Sequence, residues 1–191
     1  MSNPRSTVSE VVKVYRRRAE AFETPIAGVT PDAWARPSPC EGWLARDVVA
    51  HVVGYTAHVL RETAGIEPTD APSVDDDPVA AFRAIRDDVV RVLEDTATTD
   101  DVVRYFDAAV SFDLPQHGWD LAKATGQDAT IDPADVQALW DALSPMRRSW
   151  WKWQIDNGHY APNIPVPDDA PIQDRVLGLI GRDPKWGGQP R

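Results

Sequence analysis

Apolar residues return at helical spacing in segment after segment of this chain, and no stretch carries a β-hairpin signal. Val8, Val11, Val12, Tyr15, Ala19, Phe22 and Ile26 form one long stripe, with Ser6 or Thr7 placed to cap it. Leu44, Val48, Val52, Tyr55 and Val59 form a second stripe, on a helix expected from about Trp43 to Glu62. A third helix is expected from Pro78 to Asp95, buried through Phe82, Ile85, Val89 and Val92. After an extended connection, a further helix carries His117 to Thr125 and stops at Gly126. Asp132-Pro133 opens another through Leu143, Pro145 interrupts or restarts it, and a short one runs from Ile172 to Ile180 before Gly181. Thr30-Pro31-Asp32-Ala33-Trp34 reads as a short capped turn, and Pro37 to Gly42 as a rigid loop. Pro68 to Pro78 reads as an acidic, exposed loop. Four long helices joined by loops predict an all-α helix bundle with an appended C-terminal segment, residues 1–191 making a single domain.

Composition narrows the function. With 191 residues the chain is long enough for one sizeable core. A formal net charge of -10 argues against non-specific binding to nucleic-acid phosphates or anionic membranes. A single cysteine, Cys40, cannot form an intramolecular disulfide and fits a reducing compartment. No apolar run resembles a signal peptide or a membrane span, so a cytoplasmic protein is expected.

Two features break the pattern of an ordinary helical core. His51 lies on the second stripe, between Val48, Val52 and Tyr55, where an imidazole needs partners for its nitrogens. His58 is two turns on, roughly 10 Å away at the rise of an α-helix, too far to share a metal ion with His51. Asp47, one turn before His51, is placed to orient its ring. The second feature is Asp113-Leu114-Pro115-Gln116-His117-Gly118-Trp119-Asp120. Residues four apart on a helix share a face, so Asp113 and His117 can converge; alternatively Asp113 caps a helix that Pro115 begins. One carboxylate and two neutral imidazoles would form a three-ligand metal site with open positions. Asp120 is then a partner of His117 or a surface charge, and Cys40 a nucleophile or a small packed residue. Arg147, Arg148, Trp150, Trp151, Lys152 and Trp153 form a basic aromatic cluster, read as core packing, a pocket wall or a dimer face. His159 and Tyr160 follow in a loop within reach of the pocket.

Pro39-Cys40-Glu41-Gly42-Trp43 with Arg46-Asp47-Val48-Val49-Ala50-His51, and then His117-Gly118-Trp119-Asp120-Leu121-Ala122, resemble the DinB-like superfamily. More narrowly they resemble actinobacterial metal-binding proteins related to the N-terminal domain of mycothiol-dependent maleylpyruvate isomerase. The tail segments Val166 to Arg175 and Gly181-Arg182-Asp183-Pro184-Lys185-Trp186 match the same group, so the resemblance runs from about Trp34 to Trp186. It implies a four-helix bundle of the DinB-like type with a divalent metal at one end, zinc ahead of nickel, iron or manganese. It places His51, Asp113 and His117 at the ligand positions, with aspartate where the isomerase has glutamate. Pro115 inside the ligand helix is a second departure, since it cannot donate a backbone hydrogen bond.

The resemblance implies metal-dependent transfer or isomerisation with a low-molecular-weight thiol such as mycothiol. The same open site would serve a metal-dependent hydrolase, and a closed one a non-catalytic metal-binding or small-molecule-binding protein. A small-molecule substrate is the expected partner, with a homodimer as a further expectation and neither nucleic acid nor membrane among the partners.

Overall fold

The computed structural model describes residues 7–143, 150–158 and 160–188, with the backbone alone at 150–152. The fold is all-α: among the described residues the regular structure is helical, and one isolated antiparallel bridge pairs Pro37 with Leu44.

Helix α1 spans Val8–Ala27 and begins with a reciprocal cap. The Thr7 hydroxyl accepts from Glu10 N, and the Glu10 carboxylate accepts from Thr7 N at 2.7 Å. Helix α2, Ala45–Val59, starts at the bridge and widens into a π-helical turn, Leu60–Ala64, which Gly65 closes. Helix α3, Pro78–Glu94, has Asp77 as its cap and Pro78 in its first turn.

The stretch expected to be an extended connection is helical. Helix α4, Asp100–Tyr105, is capped by Thr99 and passes through a π-helical segment, Phe106–Ser111, into α5, Phe112–Thr125. Val103, Phe106, Val110 and Leu114 are all buried along it. Pro115 reads locally as a helix start, yet here it lies inside α5. Its missing N–H would have bonded to Ser111, the residue at which the π segment ends, so the widened turn accommodates the proline without breaking the helix.

Helix α1 packs on α3 and α5, and α2 packs on the same two, so the four close a ring around one core. Tyr15, Phe22, Phe82, Phe106, Leu60, Leu93 and Leu114 fill it, with Phe22 and Phe82 meeting edge to face at 4.9 Å. The C-terminal part adds α6 (Pro133–Leu143), α7 (Trp150–Asp156) and α8 (Ile172–Leu179). Helices α6 and α8 pack on each other and enclose Trp119 of α5 among Val136, Leu139, Val176, Leu177 and Ile180. An ion network on buried Asp135 pins this part to α1: half-buried Arg17 and buried Arg18 both donate to Asp135 at 2.7 Å, and Arg18 also donates to Ser111 Oγ at 2.8 Å.

Candidate metal centre

Nearly two turns into α2, the helix turns His51 toward α5, and α5 presents Asp113 and His117 from successive turns of the facing surface. The Asp113 carboxylate lies between the two rings. Its Oδ2 is 3.4 Å from His51 Nε2, and its Oδ1 is 3.5 Å from His117 Nε2. The His51 and His117 ring centroids are 4.7 Å apart, and one ligand atom from each of the three residues falls within 4.8 Å of the others.

These separations are long for hydrogen bonds. They suit ligation: donors about 2.1 Å from a tetrahedral zinc ion lie roughly 3.4 Å from one another. Asp113 Oδ2 is buried with no hydrogen-bond partner among the described residues, a costly state for a carboxylate oxygen that has nothing to bind. The donor set and the orphaned oxygen both fit a divalent cation. Asp113 does not cap a helix, because α5 continues from the π segment and its N-terminal boundary residue, Ser111, makes no side-chain cap.

Electrostatics favour a cation as well. Burial pushes the Asp113 carboxyl up, but the imidazoles, His117 ahead of His51, outweigh burial and hold it well below the usual carboxylate range. Burial likewise opposes charge on His117, yet Asp113 and then Asp120 raise its pKa well above the ordinary imidazole value. Two carboxylates thus act on one buried ring, and Asp113 stays anionic between the two imidazoles.

His117 is 5% exposed and its second nitrogen is also engaged: Nδ1 lies 3.0 Å from Asp120 Oδ2. Asp120, one of the two options left open by the sequence, is fully buried and belongs to the site. It also receives two bonds from Arg182, Nε to Oδ1 at 3.2 Å and a terminal guanidinium nitrogen to Oδ2 at 2.8 Å, and one from the Cys40 thiol at 3.2 Å. Burial first, and Asp120 next, push the Cys40 thiol pKa up, so Cys40 is a thiol donor to Asp120 and not a poised nucleophile. Cys40, His117 and Asp120 lie as close together as the first three residues, but the Arg182 guanidinium already supplies the cation there.

His51 retains access to solvent, its side chain 34% exposed, and aromatic rings wall the approach. Trp43 lies 4.9 Å from the His51 ring and 6.0 Å from the His117 ring, and Tyr55 stacks on His51 at 5.9 Å. Tyr160 is close enough for Asp113 to raise its hydroxyl pKa after burial, and for Arg182, Gln116 and His117 to pull it back.

Other expectations resolve differently. Asp47 does not orient His51: its carboxylate accepts from Leu44 N at 2.8 Å and starts α2. His58 is exposed. Arg147, Arg148 and His159, and the side chains of Trp150, Trp151 and Lys152, lie outside the described residues; Trp153 is exposed. Arg182 escaped the reading of the sequence as a site residue. It is 62 positions from Asp120, and the only local signal was an arginine following a glycine at the end of a helix.

Over residues 15–156 the chain matches the family described as mycothiol maleylpyruvate isomerase N-terminal domain. It is 28% identical over 184 residues to uncharacterized proteins from two strains of Mycobacterium tuberculosis, the alignment covering 88% of this chain and 95% of each relative. No solved structure matches it.

Proposed function

The chain belongs to the mycothiol maleylpyruvate isomerase N-terminal domain family, and from that premise we propose that it holds one divalent metal ion, zinc by preference, through His51, Asp113 and His117. We further propose that the centre serves a thiol-dependent transferase or isomerase reaction on a small-molecule substrate. The observation that carries the reading is the Asp113 carboxylate, set between two imidazoles with Oδ2 buried and unpaired.

A bound zinc ion lowers the pKa of a thiol or water that coordinates it and makes that group a nucleophile at neutral pH. The chain's own residues do the rest. Asp120 accepts from His117 Nδ1, which fixes the ring with Nε2 toward Asp113. Trp43 and Tyr55 cover the flanks of His51 with apolar surface and keep bulk water from the sides of the site. The partial exposure of His51 gives a thiol and its acceptor access to the site. Cys40 is no substitute for an external thiol, because its proton is committed to Asp120 in a half-buried environment. The formal charge of -10 supports a small-molecule partner over nucleic acid or an anionic membrane.

Cobalt(II) substitution tests the reading. With the site loaded, millimolar mycothiol or a simple analogue should produce a sulfur-to-cobalt charge-transfer band, and the His117→Ala variant should show none. A loaded site with no spectral response to thiol would overturn the thiol chemistry and leave water activation or simple metal binding.

A further inference from the structure

Histidine ligands depend on what holds the nitrogen that does not bind the metal. Here that holder is Asp120, and Asp120 is itself held from far along the chain. We propose that Arg182 is a positioning residue of the metal centre: the C-terminal segment delivers its guanidinium to lock Asp120, and Asp120 locks the His117 ring with Nε2 facing the ion. The inference rests on the reading of His117 as a ligand, and it brings in a residue beyond those the family model matches.

The contacts form one unbroken chain. Arg182 grips both oxygens of Asp120, Nε on Oδ1 at 3.2 Å and a terminal nitrogen on Oδ2 at 2.8 Å. Its other terminal nitrogen donates to Ile180 O at 3.1 Å, so the guanidinium is fixed by its own backbone as well. Asp120 Oδ2 then meets His117 Nδ1 at 3.0 Å, and His117 Nε2 faces Asp113 at 3.5 Å. Asp120 is 0% exposed and Arg182 8%, so neither group can be replaced by solvent. A guanidinium fork suits a two-point grip that an ammonium cannot reproduce.

The tail is shaped to deliver this side chain. Gly181 has φ +75° just before Arg182, and a Cβ there would lie 2.6 Å from Ala161 O and 2.7 Å from Ala161 Cβ. Both the left-handed backbone and the lack of space demand glycine. Gly178 is equally tight, since a Cβ would lie 2.5 Å from Val166 Cγ2 and 2.7 Å from Ile164 O, whose residue donates through its N–H to Gly178 O at 2.9 Å. Tight packing on both sides of Ile180 fixes the backbone from which Arg182 reaches Asp120. A role in stability alone accounts poorly for the pair, because a buried ion pair is often matched by apolar residues of similar volume. The placement against the second nitrogen of a ligand is what gives the charge a use.

The test compares the full-length parent with Arg182→Met, Arg182→Lys and Asp120→Asn. For each, zinc affinity is measured by competition with a chromophoric chelator, the cobalt(II) ligand-field spectrum is recorded, and the metal-free protein is melted. Arg182→Met and Asp120→Asn should each weaken zinc binding by about 10–100-fold and alter the cobalt spectrum. Arg182→Lys, which keeps the charge and loses the fork, should stay weakened. Should Arg182→Met fail to fold, the two milder variants decide the matter. Unchanged affinity and an unchanged cobalt spectrum overturn the inference, whatever the melting temperatures, because the ion pair is then structural only. A parent that binds no zinc overturns the metal-centre reading itself, whereas a parent that binds zinc as its variants do removes Arg182 alone.

Discussion

Asp113 stands one turn before His117 inside a helical run that began at Asp100, so no free backbone N–H awaits its carboxylate. That position separates the two readings left open by the sequence, in which a D-x-x-x-H spacing is compatible with a cap and with a ligand. The ambiguity came from Pro115, whose local preference for a first turn masked the continuity of the helix. His51 was legible because an imidazole on an otherwise apolar stripe needs an explanation, and Asp120 only in part because its environment is made by a distant tail. Asp113→Asn should fold as the parent does, since the amide is isosteric and the oxygen it replaces makes no hydrogen bond among the described residues. Its zinc affinity should fall by at least about tenfold, the lower bound for disturbing even an outer partner of a ligand. Chelator competition checks this, and parent-like binding would move the third ligand elsewhere.

Among the elements, the join between α1 and α6 carries the clearest energetic expectation. Asp135 accepts from Arg17 and Arg18 at 2.7 Å, and removing one member of a buried pair typically costs about 3–5 kcal/mol. Asp135→Ala should lose stability on that scale in urea unfolding, and a loss under about 1 kcal/mol would place the pair with ordinary surface ion pairs. The pair also has a pH dependence of definite sign. Burial raises the Asp135 carboxyl, but the two arginines outweigh it and lower its pKa in the folded state. A depressed folded-state value means the stabilisation is fully present above the unfolded carboxylate value of about 3.9 and is lost as pH falls through the lower folded value. Acid unfolding of Asp135→Ala should therefore show a shallower loss of stability below that point than the parent. Helices α1 to α3, α6 and α8 were legible from stripes and caps. Helix α4 and its π segment were not, because the extra residue in a π turn shifts the apolar spacing off the 3.6 period.

At the scale of the whole molecule, the second cluster is built partly from α5, through Trp119, and partly from α6 and α8. Trp119 is two residues from His117 on the same helix, so the C-terminal part and the candidate metal centre share a structural member. We expect residues 1–191 to unfold as one cooperative unit. Urea transitions followed by far-UV circular dichroism and by tryptophan fluorescence should coincide, and separated midpoints would divide the chain in two. No helix among the described residues is long and apolar enough to cross a membrane. Chelation should lower the melting temperature, because an ion bound only by the folded state contributes roughly 2.7 kcal/mol at a hundredfold excess over its dissociation constant. The most direct test of the central claim is the zinc stoichiometry of the purified chain, by elemental analysis after equilibration with excess zinc and desalting. The account predicts about one ion per chain in the parent and none retained by His51→Ala or His117→Ala, with both variants folded. A metal-free parent, or full occupancy in either variant, would contradict it.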